Sequence, residues 1–331
     1  MFEVKLKNGK RFSCDSGSTI FEAAKASGIL LEHSCLTARC RSCVVRVLEG
    51  ETEDRVEELV LSDEEKSEKY TLSCNAIPKS NISLDAEDLG DVIIYEKKIF
   101  PTKIKTIDKV TDTIAKVTLR FPPTAKFNYT SGQYVNLIKG NIKRSYSIAN
   151  KPSEKNLTVD FLIKNYENGL MSNYWFEGAK ENDLIRLEGP LGSFFYRESE
   201  TKNIIFLATG TGIAPVKAIL EEMDSSHEKY AQKNIYVIVG TRYEEEFLWS
   251  PDVESMGLNI TFIPVLSRPN EQWKGEKGYV QDILMKQEID LKNAQVYACG
   301  SNSMIEDARE LLIKNSLNKN AFYSDAFICT N

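Results

Sequence analysis

The sequence predicts a multidomain protein of α/β and β class, with a small β-grasp domain, an antiparallel β-barrel and a parallel α/β domain in that order. Its 331 residues exceed one ordinary core and suit two or three domains of about 100–150 residues each. The hydrophobic pattern changes near residue 98 and again near residue 199. We therefore expect domains at residues 1–90, 98–198 and 199–331, with a linker over residues 86–100.

The first domain is predicted from a hairpin and a helix that precede further strands. An Asn8-Gly9 turn joins two short alternating segments, a strong hairpin signal. Ser18 or Thr19 caps the following helix, and Gly28 ends it. The predicted elements are strands at residues 2–6, 10–14, 44–48 and 82–84 and a helix at residues 20–27.

The second domain is predicted from short strands separated by turns, with prolines at positions 122, 123, 152 and 190. Such spacing is typical of an antiparallel barrel. The predicted strands cover residues 103–107, 115–120, 134–138, 144–148, 157–163 and 184–188.

The third domain is predicted from continuous apolar strands that alternate with helices, a pattern that indicates a buried, Rossmann-like parallel sheet. The predicted strands are residues 204–208, 235–239, 260–265 and 296–298, and the predicted helices are residues 215–223, 280–287 and 303–315.

Composition excludes several function classes. Hydrophobic residues make up 42% and charged residues 27%, close to the soluble globular average. A net charge of −6 argues against a nucleic-acid or anionic-membrane partner. The chain opens without the apolar core of a signal peptide, and no stretch approaches the roughly 20 apolar residues of a membrane span. We expect a cytoplasmic protein, in which two histidines offer little for a hydrolytic triad.

Four of the seven cysteines follow a metal-binding pattern. Cys35, Cys40 and Cys43 are spaced C-x4-C-x2-C, and Cys74 follows about thirty residues later. This is the plant-type [2Fe–2S] spacing, in which four thiolates hold two irons. A structural zinc site is the alternative. Such sites usually use two Cys-x2-Cys pairs, however, and this sequence has only one.

A second motif, Arg144-Ser145-Tyr146-Ser147, supplies a cation, an aromatic ring and a hydroxyl on one predicted strand. These groups suit the pyrophosphate, the ring face and the hydride-accepting nitrogen of FAD. An ordinary strand with an exposed arginine is the alternative. Downstream, a glycine and a serine at the start of a predicted helix could form a phosphate-binding site. That segment is Gly169, Leu170, Met171 and Ser172.

Two further motifs follow predicted strands of the third domain. Thr209-Gly210-Thr211-Gly212, with Pro215 close behind, stands between a strand and a helix, where glycines let the backbone approach a pyrophosphate. The segment lacks the third glycine of the dinucleotide fingerprint. Cys299-Gly300 ends another strand. Cys299 either lines a nicotinamide pocket or is a small buried hydrophobic residue.

Taken in order, these motifs resemble the ferredoxin–NADP reductase superfamily with an amino-terminal ferredoxin domain. The resemblance extends over most of the chain beyond the first domain. The similar segments are residues 122–126, 131–134, 144–150, 188–190, 210–217 and 322–327.

The resemblance implies a role for each motif. Arg144 would hold the FAD pyrophosphate, Tyr146 would flank the flavin, and Ser147 would act near its hydride-accepting nitrogen. Residues 169–172 would complete the FAD site, and residues 209–215 would hold the nicotinamide nucleotide beside Cys299. Asp325 resembles a carboxylate found near the carboxyl end of family members. Phe327 either covers the flavin or packs in the core.

The cluster loop departs from the family, because Ala38 and Arg41 stand where glycines are usual. Both positions normally need a permissive backbone that lets amides approach sulfur. Arg41 is also expected to place a cation near the cluster, which favours its reduced form.

Electron counting sets the expected order of transfer. A nicotinamide gives two electrons as hydride and a [2Fe–2S] cluster accepts one, so the flavin stands between them. The resemblance implies an acceptor protein, either a PMP-dependent nucleotide-sugar 3-dehydrase of deoxysugar biosynthesis or an oxygenase component. Arg242 suits the 2′-phosphate of NADPH, whereas Glu244, Glu245 and Glu246 would repel it, so we expect NADH.

Residues 49–69 hold ten acidic and three basic residues. They form either a solvated helix and loop or a docking face for a basic acceptor. An alternative of another class is a non-catalytic redox sensor or a zinc-stabilised interaction protein.

Overall fold

A computed structural model describes residues 1–90, 95–153 and 157–327. The chain divides into two compact units, residues 1–94 and residues 95–331. The second unit contains both the predicted barrel and the predicted α/β domain. Within the described residues, no helix is both long enough and apolar enough to cross a membrane.

The first unit has a five-stranded mixed sheet in the order β2-β1-β7-β3-β5, with α1 packed against it. The hairpin β1–β2 is antiparallel, and β1 pairs in parallel with β7, as a β-grasp fold requires. The strands are β1 Phe2–Leu6, β2 Arg11–Cys14, β3 Val44–Glu49, β4 Thr52–Asp54, β5 Tyr70–Leu72, β6 Ala76–Pro78 and β7 Ile82–Leu84, and the helices are α1 Ile20–Ala26 and α2 Asp63–Ser67.

Thr19, one of the two predicted caps, begins α1. Its hydroxyl accepts a hydrogen bond from the Glu22 amide at 3.2 Å, and the Glu22 carboxylate accepts one from the Thr19 amide at 2.9 Å. This reciprocal pair satisfies two amides that the first helical turn leaves without partners. Gly28 follows the helix with a φ of +74°, so the predicted helix end is confirmed to within one residue.

The barrel is a six-stranded antiparallel sheet in the order β11-β10-β13-β8-β9-β12. It closes after β11, where the Ala149 amide donates to the Asp160 carbonyl on β12 at 2.8 Å. The strands are β8 Lys98–Thr111, β9 Ile114–Arg120, β10 Tyr134–Lys139, β11 Ile142–Ser147, β12 Thr158–Lys164 and β13 Leu184–Leu191, with helix α3 Leu170–Asn173 and a π-helical turn Tyr174–Gly178 before β13.

The remaining part of the second unit is a parallel sheet in the order β17-β16-β15-β14-β18-β19. The sheet has near-continuous buried runs, as the sequence predicts for strands covered on both faces. Its strands are β14 Asn203–Thr209, β15 Asn234–Thr241, β16 Ile260–Leu266, β17 Glu276–Lys277, β18 Ala294–Ser301 and β19 Phe322–Phe327. Its helices are α4 Ile213–Asp224, α5 Val280–Met285 and α6 Asn302–Lys314, with short 3₁₀ turns at Gly210–Gly212, His227–Tyr230, Glu244–Glu246, Leu291–Asn293 and Lys319–Ala321.

The linker predicted at residues 86–100 is shorter than expected. At one end, the Lys7 amide donates to the Ala86 carbonyl, and the Leu89 amide donates to the Leu30 carbonyl, so both positions belong to the first unit. At the other end, β8 begins at Lys98 and includes Pro101. Pro101 lies where β8 pairs with β13 alone, so its missing N–H breaks no second ladder. Residues 91–94 lie outside the described part of the chain.

Substitution of Gly132 tests how closely the backbone packs in the second unit. Gly132 has a φ of +99°, and a Cβ added there would lie 1.9 Å from the Phe194 carbonyl oxygen. We expect Gly132→Ala to lower the free energy of unfolding of this unit by about 3 kcal/mol or more. Chemical denaturation followed by flavin fluorescence measures this change.

Gly140 provides the matched control, because its φ is +58° but nothing lies within 4 Å of an added Cβ. Gly140→Ala should cost only the left-handed strain of about 1–2 kcal/mol. Equal losses at both positions would show that the Phe194 contact does not matter.

Candidate functional site

The four cysteines of the predicted quartet lie together in the first unit. Cys35, Cys40 and Cys43 occupy the loop between α1 and β3, and Cys74 follows β5. Their sulfurs form two pairs. The Cys43 and Cys74 Sγ atoms are 3.2 Å apart. The Cys35 and Cys40 side chains are hydrogen-bonded to each other, and the Cys35 amide donates to Cys40 Sγ at 3.3 Å.

This paired arrangement distinguishes between the two metal sites that the sequence allows. Cys35 lies with Cys40, and Cys43 lies with Cys74. A tetrahedral zinc ion requires all four ligands around one centre. Two pairs of sulfurs suit two irons, so the residues fit a [2Fe–2S] cluster better.

The backbone of the cysteine loop turns its amides toward sulfur. Ala38 and Arg41 have φ values of +57° and +61°, the left-handed region that the sequence predicts for the two missing glycines. The Thr37 amide donates to Cys35 Sγ at 3.3 Å. A hydrogen bond with Cys40, followed by bonds from Thr37, lowers the pKa of the Cys35 thiol to about 5. The same shared hydrogen bond raises the pKa of the Cys40 thiol, so the two side chains share one readily lost proton.

The side chain of Arg41 has a counter-ion that the sequence did not reveal. Its guanidinium forms two hydrogen bonds with the Glu65 carboxylate, one of them at 3.1 Å, and a third with the Val60 carbonyl. The expected cation beside the cluster is therefore paired rather than isolated.

The Arg-Ser-Tyr-Ser motif lies at the end of β11. Tyr146 packs against the barrel core, and its hydroxyl accepts a hydrogen bond from Trp175 Nε1 at 3.1 Å. Burial raises the pKa of Tyr146 to about 12, so the phenol stays neutral. Strand alternation places Ser147 on the opposite face, where it is also buried. Arg144 is partly exposed earlier on the strand, as a phosphate-binding cation should be.

The predicted phosphate-binding segment, residues 169–172, lies at the start of the short helix α3. Gly169 precedes it, and the Ser172 hydroxyl accepts a hydrogen bond from the Tyr166 amide at 2.9 Å. Leu170 is exposed, whereas Met171 is buried in the barrel core. Met171 can therefore reach a cofactor only through its backbone.

The chain that leaves β11 is fixed to helix α4. Lys217 Nζ donates to the Ala149 carbonyl at 2.8 Å and to the Glu221 carboxylate at 2.5 Å. The other Glu221 oxygen accepts a hydrogen bond from the Lys151 amide at 3.1 Å. Helix α4 begins directly after the glycine-containing loop at residues 209–212. The Lys217–Glu221 ion pair therefore links the end of β11, which carries the Arg-Ser-Tyr-Ser motif, to that loop.

The glycine loop lies at the carboxyl ends of β14 and β18, where open parallel sheets bind ligands. Gly210 has a φ of +54° and open space around it. Gly212 has a different role, because a Cβ there would lie 2.2 Å from the Cys299 carbonyl oxygen. Gly300 approaches Thr209 just as closely, since its added Cβ would lie 2.0 Å from Thr209 Oγ1. The glycines therefore bring the two strand ends together as well as opening the loop.

The loop residues Thr211 and Pro215 are both buried, and Pro215 lies in the first turn of α4, where a missing N–H costs no helical hydrogen bond.

Cys299 and Asp325 lie opposite each other on neighbouring strands β18 and β19. Cys299 is fully buried, and burial followed by the nearby Asp325 charge raises the pKa of its thiol. The thiol is therefore protonated and is not a nucleophile. Asp325 is also buried.

Phe327 pairs with Ser301 at the end of β19 and packs, partly exposed, against the core of the parallel sheet. This packing is one of the two roles that the sequence allows.

The end of β15 carries the residues predicted to select the nicotinamide nucleotide. Arg242 is exposed, and its amide donates to the Glu246 carboxylate at 3.0 Å. Lys164 of β12 lies 3.8 Å from the other Glu246 oxygen. Glu246 is thus fixed in place, whereas Glu244 and Glu245 are exposed.

Sequence reasoning missed three side chains that hold this site together: Trp175, Glu221 and Lys217. Lys217 belongs to a similar segment of the family, but its partners Ala149 and Glu221 are identified only by the fold. Trp175 follows the Gly-Leu-Met-Ser segment, and an aromatic residue there was the available signal.

Comparisons with known proteins agree with this arrangement. Residues 4–79 match a 2Fe-2S iron-sulfur cluster binding domain, residues 101–196 an oxidoreductase FAD-binding domain, and residues 206–310 an oxidoreductase NAD-binding domain. Together they define an iron–sulfur flavoprotein oxidoreductase that uses a nicotinamide nucleotide.

Relatives and solved structures extend the match over the whole chain. The chain is 37% identical, over 98% of both proteins, to the CDP-6-deoxy-L-threo-D-glycero-4-hexulose-3-dehydrase reductase of Yersinia pseudotuberculosis. It is 28% identical to the anthranilate 1,2-dioxygenase electron transfer component of Acinetobacter baylyi, over 99% of this chain and 97% of that protein. A cytochrome P450 reductase of Amycolatopsis shares the fold, with a TM-score of 0.73, 21% identity and 99% coverage of both chains. The chain belongs to the ferredoxin reductase family that includes the Yersinia reductase.

The link between Lys217 and the flavin-motif strand is open to a direct test. We expect Lys217→Met to lower the free energy of unfolding of the second unit by about 1–3 kcal/mol, because a charge-assisted hydrogen-bond network is lost. Flavin reduction at saturating NADH, followed by stopped-flow absorbance, should also slow, since the strand end and the glycine loop lose their shared contact.

Lys286→Met is the control, because Lys286 forms an exposed pair with Glu276 elsewhere in the parallel sheet. It should change neither quantity measurably. If the two variants behave alike, the Lys217 network has no part in positioning.

Proposed function

We propose that this reductase passes electrons from NADH through FAD and the [2Fe–2S] cluster to a PMP-dependent nucleotide-sugar 3-dehydrase of deoxysugar biosynthesis. The similarity to the Yersinia dehydrase reductase carries the proposal, because it reaches 37% identity and covers both proteins almost completely. An oxygenase component is the second candidate acceptor, supported by the 28% identity to the anthranilate dioxygenase component.

The proposed domains are residues 1–90 for the cluster, 98–198 for FAD and 199–331 for the nicotinamide nucleotide. A cytoplasmic location is also proposed, since every cysteine within the described residues is free, as in a reducing compartment.

We assign the cluster ligands to Cys35, Cys40, Cys43 and Cys74. The proposed FAD site consists of Arg144, Tyr146, Ser147 and residues 169–172. The proposed nicotinamide site consists of Thr209, Gly210, Thr211, Gly212, Pro215, Arg242, Cys299 and Gly300. Ser147, Cys299 and Asp325 would lie nearest the hydride, and Phe327 would cover the flavin.

Arg144, Tyr146, Ser147 and residues 169–172 would hold FAD, which would supply the conversion of a two-electron hydride into single electrons for the cluster. The protein's own groups would orient this chemistry. Ser147 would donate a hydrogen bond from its buried hydroxyl, and Arg144 would neutralise phosphate charge. Cys299 and Tyr146 would present neutral surfaces, because burial raises the pKa of both side chains.

The preference for NADH follows from Glu246. Its carboxylate is fixed by the Arg242 amide at the end of β15, on the second strand of the parallel sheet. A carboxylate at this position of a dinucleotide-binding fold hydrogen-bonds the ribose hydroxyls of NADH and repels a 2′-phosphate.

Glu246→Gln tests this preference. The ratio of kcat/KM for NADPH to that for NADH should rise about tenfold, since a hydrogen bond to a charged group contributes about 1.5–3 kcal/mol. Steady-state kinetics with an artificial acceptor measure the ratio. The neighbouring Glu245→Gln removes the same charge from an exposed side chain and should leave the ratio almost unchanged. Equal ratios in both variants would contradict the role of Glu246.

The acidic segment at residues 49–69 is the proposed docking face for the acceptor. Leu61 packs with Ala38 and Cys43 of the cysteine loop, so the segment lies beside the cluster ligands. Two apolar side chains project from it, Val56 at 56% and Leu59 at 80% exposure. Apolar contacts surrounded by carboxylates suit a transient complex with a basic acceptor.

Reconstitution with candidate acceptors tests the proposed function. The purified protein with NADH should support turnover of a nucleotide-sugar 3-dehydrase and not of an oxygenase, at a rate that falls as salt rises. Cys74→Ser should abolish this turnover but keep flavin reduction by NADH, because it removes a cluster ligand only. Cys14→Ser is the control, since Cys14 lies outside the quartet. Turnover of the oxygenase alone would identify the second candidate.

A further inference from the structure

The ion pair between Arg41 and Glu65 joins the cysteine loop to the acidic segment. Arg41 directly follows the ligand Cys40, and Glu65 lies on α2. Their side chains are only 18% and 28% exposed. Partial burial reduces solvent screening, so each charge acts more strongly on its surroundings than a free surface charge would.

Glu65 is itself held in place by the backbone of α2. Its carboxylate accepts a hydrogen bond from the Ser62 amide at 2.8 Å, and its amide donates to the Ser62 hydroxyl at 3.2 Å. The same carboxylate binds the Arg41 guanidinium. Interaction with Arg41 and with Ser62 offsets burial and lowers the pKa of Glu65, so it is ionised at neutral pH.

Arg41 occupies an unfavourable backbone position for a residue other than glycine. Its φ of +61° lies in the left-handed region, which a residue with a Cβ rarely adopts. The two hydrogen bonds to Glu65 and the bond to the Val60 carbonyl hold the residue in that conformation. A bidentate arginine–carboxylate pair has the geometry and strength for this task.

We propose that Glu65 is a positioning residue that compensates the charge of Arg41 and thereby keeps the reduction potential of the cluster low. Reduction adds one negative charge to a [2Fe–2S] cluster, so an uncompensated cation beside it stabilises the reduced form. The negative charge of Glu65 offsets the positive charge of Arg41 and so removes most of that stabilisation of the reduced cluster. The other arginine of the loop, Arg39, is exposed to solvent and therefore has a weaker effect.

The functional consequence concerns the direction of electron flow. A lower potential makes the reduced cluster a stronger donor to its acceptor. The inference depends on cluster binding alone and holds whichever acceptor the protein serves. A failed reconstitution with the dehydrase would therefore leave it intact, whereas an unchanged potential would overturn it.

The test is the midpoint potential of the cluster in the full-length protein, measured by spectroelectrochemistry and by the EPR signal of the reduced cluster. Glu65→Gln removes the counter-charge but keeps the shape of the side chain. We expect its reduction equilibrium to shift about tenfold toward the reduced cluster, equivalent to 59 mV for a one-electron couple.

Glu64→Gln is the matched control, because Glu64 lies on the same helix but is exposed. Its potential should equal that of the unsubstituted protein. A Glu65→Gln potential equal to that of Glu64→Gln would overturn the proposal.

Two further variants keep the proposal testable if Glu65→Gln fails to retain its cluster. Arg41→Gln removes the cation and leaves the carboxylate, so the potential should fall. The double variant Arg41→Gln/Glu65→Gln should return close to the original value, because both charges are gone. A rise in Arg41→Gln, or a double variant whose potential stays as far from the original value as that of Glu65→Gln, would also overturn the proposal.

Discussion

The short backbone segment at residues 148–151 carries the hydrogen bonds on which the second unit depends. Its polar groups bond to the residue before β10, to β12 and to α4. The Ile148 amide donates to the Gln133 carbonyl and the Ala149 amide to β12, while Lys217 and Glu221 of α4 bind the Ala149 carbonyl and the Lys151 amide. Since this segment directly follows Ser147, the proposed flavin contacts and the glycine loop share one rigid support.

The order of the elements could be predicted from the sequence because it depends on local patterns. Alternating residues in 115–120 and continuous apolar residues in 204–208 differ in period, so they distinguish an antiparallel barrel strand from a buried parallel strand. The cysteine spacing predicted the cluster for a similar reason, since three of the ligands lie on one loop. These signals depend on neighbours in the chain, and the structure confirms the fold class they predict.

The contacts that hold the site together could not be predicted, because they join residues far apart in sequence. Lys217 and Ala149 are separated by 68 positions, and Arg41 and Glu65 by 24. The linker predicted over residues 86–100 was too long, because residues 86 and 89 bond to the first unit and β8 already begins at Lys98. The role of Gly212 was only partly predicted, because the carbonyl that it must accommodate belongs to Cys299 on another strand.

The hydride step and the single-electron step at the cluster require different electrostatic surroundings, and the side chains at the two proposed sites differ accordingly. Hydride transfer moves a proton and two electrons together between two rings, and a site that excludes water protects this step from side reactions. Burial keeps Tyr146 and Cys299, which belong to the proposed cofactor sites, neutral. Transfer of a single electron changes the charge of the cluster by one unit, so charged groups near it set its energy directly. Arg41 and Glu65 are charged and paired beside the cysteine loop, where in the proposed arrangement they would adjust the energy of the cluster.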